Sequence, residues 1–185
     1  MRMPNREPQR SDAQANRTRI LEVARDMLTE DGDASLNSIA KKAGVGAGTL
    51  YRHFPNREAL VLAVYRHEVQ RLVDWATELL AEDPPLVAMR KWFERLAGYI
   101  RIKRGLGDAL TAANHDAITN ETYGPVIKTI AMFLHAGEQD HTIRPGLNPD
   151  DVLLMMGAVW RTPAGQEGEN QASRLLDLIL EAFRA

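Results

Sequence analysis

The segment Ser35–Arg57, SLNSIAKKAGVGAGTLYRHFPNR, constrains the fold of this chain more than any other stretch. Gly44 can end a helix there, because glycine adopts the left-handed backbone conformation at little steric cost. Ala40, one turn earlier, is small enough for a second helix to cross closely over it. Val45 and Leu50 are the apolar residues that would fix the crossing angle. This spacing predicts two short helices joined by a tight turn, a helix-turn-helix.

The ends of these helices follow from capping residues and prolines. Ser35 is the predicted N-cap of a helix that runs to about Ala43, since its hydroxyl can accept a hydrogen bond from a free backbone amide. The second helix of the motif is predicted for Ala47–Phe54, and Pro55 ends it because proline disfavours helix at the preceding residue. Before the motif, apolar residues follow helical spacing over Ala15–Glu30. Residues 1–14 lack any periodicity and are predicted to be a disordered arm.

The rest of the chain also has the helical period, and no segment alternates as a strand would. A long helix is predicted from Arg57 to about Ala81, with Asn56 as its cap. The segment His135–Pro149 is predicted as a loop. The sequence therefore predicts an all-α protein of about nine helices, with a helix-turn-helix domain over residues 15–56 and a larger helical bundle over 57–185. The later helices are marked by Met89–Ile100, Asp108–Ala113, Tyr123–Leu134, Val152–Trp160 and Leu175–Phe183.

Composition excludes several classes of protein. Cysteine is absent, which excludes disulfides, thiolate zinc sites and thiol nucleophiles. None of the five histidines forms a helical i, i+4 pair, so we predict no metal and no cofactor. No apolar run approaches the roughly 20 residues needed to cross a bilayer, and the polar start has no apolar signal-peptide core. We expect a cytoplasmic protein with no membrane partner.

The second helix of the motif carries donors suited to DNA. It presents Thr49, Tyr51, Arg52 and His53 on one short segment, and hydroxyl, phenol and guanidinium groups are the donors that contact phosphates and base edges. The net charge is −2, but residues 1–60 hold ten Lys and Arg against eight Asp and Glu. A helix hairpin that only packs is the alternative interpretation, and this polar face argues against it.

Other chemistries fit the sequence less well. The glycines at 44, 46 and 48 satisfy neither G-x-G-x-x-G nor G-x-x-x-x-G-K-[ST], and no strand precedes them, which disfavours a nucleotide phosphate loop. His115 and Asp116 could form an acid–base pair, but adjacent residues on a helix point to different faces. A helical-bundle enzyme is therefore the weaker alternative, beside an architectural DNA-binding protein that senses no ligand.

The sequence resembles the TetR family of bacterial transcriptional regulators over about Arg17–Val64. The similarity is carried by Ser35–Ala40, by Ala43-Gly44-Val45, and by Gly48–Phe54, which has the form G-x-x-Y-x-H-F and is followed by Arg57–Leu60. Gly46 and Ala47 depart from the polar residues more usual at the turn, so only backbone amides are left there. The resemblance implies phosphate contacts by Ser35, Tyr51, His53 and Arg57, and groove-facing positions for Asn37, Ala47, Thr49 and Arg52.

The resemblance also implies a homodimer that binds palindromic double-stranded DNA. This dimer would bind a small-molecule effector and act as a ligand-responsive repressor. An effector pocket is implied between the central helices, although a plain helix-bundle core is the alternative for most of its candidate residues. The last two helices would pair two protomers, or else form the core of one. The pocket candidates are Met89, Trp92, Phe93, Tyr99, Asp108, His115 and Tyr123, and the dimer candidates are Met156, Trp160, Leu176, Ile179 and Phe183.

Overall fold

The computed structural model describes residues 7–30, 34–105, 112–163 and 165–185. Within these ranges every regular element is an α-helix, eight in all, and the predicted all-α fold is confirmed. None of the helices in the described ranges is long and apolar enough to cross a membrane. The helices are α1 Glu7–Glu30, α2 Leu36–Lys42, α3 Ala47–His53, α4 Arg57–Glu82, α5 Pro85–Gly105, α6 Ala112–Gln139, α7 Pro149–Val159 and α8 Gln166–Glu181.

The chain divides into two compact units, with α4 contributing to both. The first unit comprises residues 1–67 and 105–115, and the second comprises residues 68–104 and 116–185. The first unit therefore extends along α4 beyond the boundary that the sequence predicted at residue 56.

The first unit is built on α1, α2 and α3. Between Ile20 and Leu28 one side of α1 is buried, because its apolar residues recur at three- and four-residue spacing and form a single stripe. This stripe packs against α2, which in turn packs against α3. The buried residues of α1 are Ile20, Leu21, Ala24 and Leu28.

The first helix begins earlier than the sequence predicted. The structure starts α1 at Glu7, whereas the periodicity placed its start at Ala15, so the prediction of disorder is wrong for residues 7–14. Pro8 lies in the first turn, where its missing N–H would have no helical partner in any case. Because this extension carries no apolar stripe, hydrophobic periodicity could not reveal it. The remainder of the predicted arm lies outside the described residues.

The second unit has an aromatic core. Trp92 lies edge-on to Phe93 with ring centroids 5.5 Å apart, and 5.7 Å from the ring of Phe133 on α6. The indole N–H of Trp92 donates to the backbone oxygen of Leu72 on α4, at 2.9 Å. All three aromatic rings are fully buried. These contacts fasten α4, α5 and α6 together.

The middle of the chain differs from the prediction in helix number and length. A single helix, α6, runs to Gln139, so the predicted loop from His135 begins five residues later than expected. The interior of α6 contains Pro125, although proline has no N–H to donate within the helix. The hydroxyl of Thr129 donates to the Pro125 oxygen at 3.0 Å. Most of the short helix predicted at Asp108–Ala113 falls outside the described residues.

Candidate nucleic-acid interface

The turn between α2 and α3 depends on Gly44. Its φ is +67°, in the left-handed region, which glycine adopts without strain. The N–H of Gly44 donates to the oxygen of Lys41 at 3.2 Å, and the N–H of Val45 donates to the oxygen of Ala40 at 3.0 Å. This pair of bonds is a Schellman motif, which satisfies carbonyls at the end of α2. The glycine that the sequence singled out is therefore required by the backbone.

Helix α2 begins at the predicted cap. The hydroxyl of Ser35 accepts from the backbone N–H of Ser38 at 3.1 Å. Ser35 is exposed, and so is Asn37 in the first turn. Both predicted DNA-contacting residues of α2 thus lie on the surface beside the helix N-terminus, where backbone N–H groups favour an anion such as phosphate.

Helix α3 has one buried side, and its polar side chains are distributed around the rest of the helix. Leu50 is fully buried and is its only buried residue. At about 100° per residue, Arg52 lies nearly opposite Leu50. Tyr51 falls on one flank, while Thr49 and His53 fall on the other. Arg52 is therefore the side chain that points most directly away from the protein.

The start of α3 is poor in side-chain donors, as the sequence predicted. Gly46 is the N-cap and makes no side-chain cap bond, while its oxygen accepts from the N–H groups of Thr49 at 2.9 Å and Leu50 at 3.1 Å. Gly46, Ala47 and Gly48 are all exposed. Only backbone amides can contact a nucleic acid at this end.

Arg57 is held at the start of α4 by a cap on the preceding residue. The side-chain oxygen of Asn56 accepts from the N–H of Ala59 at 2.8 Å, which confirms Asn56 as the predicted cap. Arg57 is half-buried and follows α3 by four residues. The cap therefore fixes the direction of the chain between the end of α3 and this cation.

The outward face of α3 carries a cation, and the helix itself has no acidic side chain. The helix sequence AGTLYRH has no Asp or Glu. Arg52 is exposed, and no carboxylate pairs with it in the described part of the chain. Tyr51 is 44% exposed. The arrangement offers a guanidinium, a phenol and an imidazole to an anionic partner.

The four pocket candidates whose side chains the structure describes have two different environments. Met89, Trp92 and Phe93 are fully buried in the core of the second unit, which is the alternative interpretation of these residues. Tyr123 is 45% exposed and donates to a carboxylate oxygen of Asp150 at 2.5 Å. This hydrogen bond raises the pKa of Tyr123 above its ordinary value, because the ionised phenol could not donate it. The side chains of Tyr99, Asp108 and His115 lie outside the described residues.

The dimer candidates lie on or next to α7 and α8, and most of them are buried within the protomer. Met156, Leu176, Ile179 and Phe183 are each at most 8% exposed, so they form the interior of a single protomer. Trp160 is half-buried, and its indole nitrogen is enclosed without a hydrogen-bond partner in the described part of the chain.

The sequence reasoning missed the apolar residues on the opposite face of the same two helices. Leu154 and Met155 on α7 and Leu178 on α8 are exposed; we call these three residues the outer face. The sequence of α8 does contain a signal for the outer face, because the helix has more apolar residues than a single buried stripe can hold. Leu178 is an apolar residue outside the buried set formed by Leu176, Ile179 and Leu180.

Known proteins match both parts of the chain. Residues 20–64 match the family described as "Bacterial regulatory proteins, tetR family", and residues 84–185 match "Transcriptional regulator SbtR-like, C-terminal domain". The HTH-type transcriptional regulator SAR0097 of Staphylococcus aureus is 34% identical over 102 residues, which are 54% of this chain and 53% of that protein. The alignment thus spans about half the length of this curated relative.

Solved structures extend the similarity over almost the whole chain. The TetR transcriptional regulator SCO0520 from Streptomyces coelicolor is 38% identical, with a TM-score of 0.80, covering 91% of this chain and 98% of that one. The transcriptional regulator FadR from Bacillus subtilis, solved in complex with stearoyl-CoA, shares the fold at 18% identity and a TM-score of 0.63, covering 90% and 99%. These relatives are described as transcriptional regulators and indicate a regulator, not an enzyme. The chain belongs to the TetR family of bacterial transcriptional regulators.

Proposed function

We propose that the chain is a homodimeric transcriptional repressor that binds a palindromic operator and releases it when a small-molecule effector binds. The observation that carries this proposal is the outward face of α3, which has one buried residue and several exposed donors. A single helix of this length contacts only a few base pairs, so specificity requires a second copy on a two-fold related half-site.

The geometry of the first unit supports the following DNA contacts. Arg52 is suited to contact base edges, because it is exposed and lies nearly opposite the buried Leu50, and a guanidinium can bind guanine with two hydrogen bonds. Thr49 flanks it, while Asn37 and Ala47 face the same groove. Tyr51, His53, Arg57 and Ser35 contact phosphates, and the amide of Gly46 can add a backbone contact.

Binding measurements on phosphate-contact variants test this assignment. Tyr51→Phe and Arg57→Ala should each weaken binding to all duplexes by about three- to tenfold, and Arg57→Ala should lower the slope of log K against log salt by about 0.9 per subunit. Lys128→Ala, on the exposed surface of α6, is the matched control and should leave both quantities unchanged. An unaltered salt slope in Arg57→Ala would remove the phosphate contact from the proposal.

The outer face supports the dimer. Leu154 is 78% exposed, Leu178 is 68% exposed and Met155 is 43% exposed. Three of the six large hydrophobic side chains that are exposed in the described residues lie here, and a concentration of exposed apolar residues marks an interaction surface.

The partner for this face is a second copy of the chain. Ala158 lies one turn after Leu154, and Ala182 one turn after Leu178, and both are exposed. Such small residues let helices approach closely. Helices α7 and α8 pack on each other, so pairing two such hairpins about a two-fold axis gives a four-helix arrangement with the same patch on both sides.

Two buried polar atoms that have no partner among the described residues support an effector. Nε1 of Trp160 and Nε2 of His67, in different units, are buried without a hydrogen-bond partner in the described part of the chain. Buried polar atoms normally have a partner, in the protein, a water or a ligand. FadR of the same fold is solved with stearoyl-CoA, and an effector with an apolar body and polar acceptors suits the second unit.

A thermal-shift screen against a small-molecule panel tests the response. At least one compound should raise the unfolding temperature and, in a binding assay, weaken the complex with DNA, because a ligand shifts an equilibrium only through its different affinity for two states. A panel in which no compound raises the unfolding temperature would favour the non-sensing architectural protein. Trp160→Phe keeps the ring and removes the N–H, so it should reduce the shift caused by ligands that accept this bond.

A further inference from the structure

We propose that Arg17 of α1 is a further phosphate contact of the DNA-binding surface, held in position by the ring of Phe54. The inference rests on the proposed binding of DNA by α3 and adds a residue that lies outside the two helices of the helix-turn-helix.

The guanidinium of Arg17 stacks over an aromatic ring at the end of α3. Its central carbon lies 5.5 Å from the centroid of Phe54, within the range of a cation–π interaction. Phe54 is only 2% exposed, so the ring is a fixed platform. It is the C-cap of α3, and its N–H donates to the oxygen of Leu50 at 2.8 Å. The stack thus ties a cation on α1 to the helix proposed to enter the groove.

Stacking leaves the hydrogen-bonding edge of the guanidinium available. An arginine that contacts an aromatic ring through its flat face keeps its five N–H donors available at its edge, because they lie in the plane of the group. Arg17 is half-buried, which limits its rotamers, so little side-chain freedom would be lost when it binds an anion. A planar donor set of this kind matches the oxygens of a phosphate.

No carboxylate of the described residues neutralises this charge. Other arginines of the chain have acidic partners, such as Arg25 with Asp26 at 2.7 Å and Arg90 with Glu94 at 3.1 Å. The positions three and four residues from Arg17 are Ala13, Gln14, Ile20 and Leu21, none of which is acidic. Neighbouring helical positions therefore supply no acidic partner, and an anion of a bound molecule can take that place.

The neighbours of the stack are themselves proposed phosphate contacts. The ring of His53 lies 6.1 Å from that of Phe54, and Arg57 follows three residues later in the chain. A cation placed next to this pair extends the same contact surface onto α1. The negative end of the α3 dipole also favours a cation at this position, which is the purely structural role that an experiment has to separate.

Paired substitutions on α1 separate the two roles. Arg17→Gln removes the charge, and Arg17→Lys keeps it while losing the planar fork. Arg19→Gln is the matched control, because Arg19 is exposed on the same helix and bonds Asn16 at 2.8 Å. The probe is a DNA duplex selected from a random pool by the intact chain, and binding is measured across a range of salt concentrations.

We expect Arg17→Gln to weaken binding by about three- to tenfold and to lower the salt slope by about 0.9 per subunit, with Arg17→Lys keeping most of the slope and Arg19→Gln matching the original chain. Equal binding and slope in Arg17→Gln and Arg19→Gln would overturn the proposal. So would equal losses in Arg17→Gln and Arg17→Lys that follow a fall in unfolding temperature. If Arg57→Ala and Tyr51→Phe are also without effect, the proposed α3 surface itself fails; if only they weaken binding, Arg17 alone is excluded.

Discussion

The exposed side of a helix can be deduced from the sequence for α3 but not for α8. In α3 one apolar residue, Leu50, is buried and the remaining side chains are small or polar. Only one orientation of that helix is compatible with burial, so its outward residues follow directly. In α8 the residues Leu176, Ile179 and Leu180 are buried, but Leu178 is exposed. A helix with apolar residues on two faces has two plausible orientations.

The difference explains which predictions succeeded. Capping and turn chemistry are local, so Ser35, Gly44 and Asn56 were identified correctly from neighbouring residues alone. The choice between the two apolar faces of α8 depends on what the rest of the second unit places beside it. Ile179 therefore looked like an interface residue, although it is only 8% exposed.

Adjacent residues of α8 give the largest expected contrast. Ile179→Asp places a charge in the interior, which should cost several kcal/mol and abolish the cooperative unfolding transition followed by circular dichroism. Leu178→Asp places the same charge on the outer face and should give a folded monomer by sedimentation. A folded, monomeric Ile179→Asp variant would contradict the buried assignment, and a Leu178→Asp variant that stays dimeric would reject the outer face.

The matching substitution in α3 should leave the fold unchanged and alter DNA specificity. Arg52→Ala removes the most outward side chain, and we expect a loss of about 1–3 kcal/mol in binding with relaxed preference at one base position. Because Arg52 is exposed, the unfolding temperature should not change. An Arg52→Ala variant that selects the same sequences as the original chain would exclude this residue from base contact.

Two glycines of the motif should respond in opposite directions. Gly44→Ala forces a side chain into the left-handed region and should destabilise the first unit by about 1–2 kcal/mol. Gly48 lies within α3 with no heavy atom inside 4 Å of an added Cβ, so Gly48→Ala should stabilise the helix by about 0.5–1 kcal/mol. Denaturant unfolding of both variants measures the two effects. A Gly44→Ala variant that is as stable as the original chain, or more stable, would mean that the turn does not need its left-handed residue.

The smallest effect is expected in the second unit, at Tyr123. Its phenol should ionise above the ordinary value in an absorbance titration, because the hydrogen bond to Asp150 holds the proton. The stabilisation from this bond is complete below the unfolded pKa and is lost as pH rises through the raised folded pKa. Asp150→Asn should bring the titration back towards the ordinary value. An unchanged midpoint in that variant would show that the two groups do not interact in solution.

Other parts of the fold were beyond the reach of periodicity for physical reasons. The first turns of α1 carry no apolar stripe, so their helical state left no periodic signal. In α6 the end of the helix extends to Gln139 through residues such as His135 that are exposed, and polar residues there resembled a loop. The stack of Arg17 on Phe54 joins residues far apart in sequence, and only the tertiary structure brings them together.

The central claim, a two-fold DNA-binding protein, is tested most directly by selecting bound sequences from random double-stranded DNA with the intact chain. We predict an enriched site with two inverted half-sites, because two α3 helices related by a two-fold axis contact both grooves in the same way. Leu178→Asp should lose this enrichment while remaining folded. An enriched site without inverted symmetry, or equal enrichment by the monomeric variant, would contradict the account.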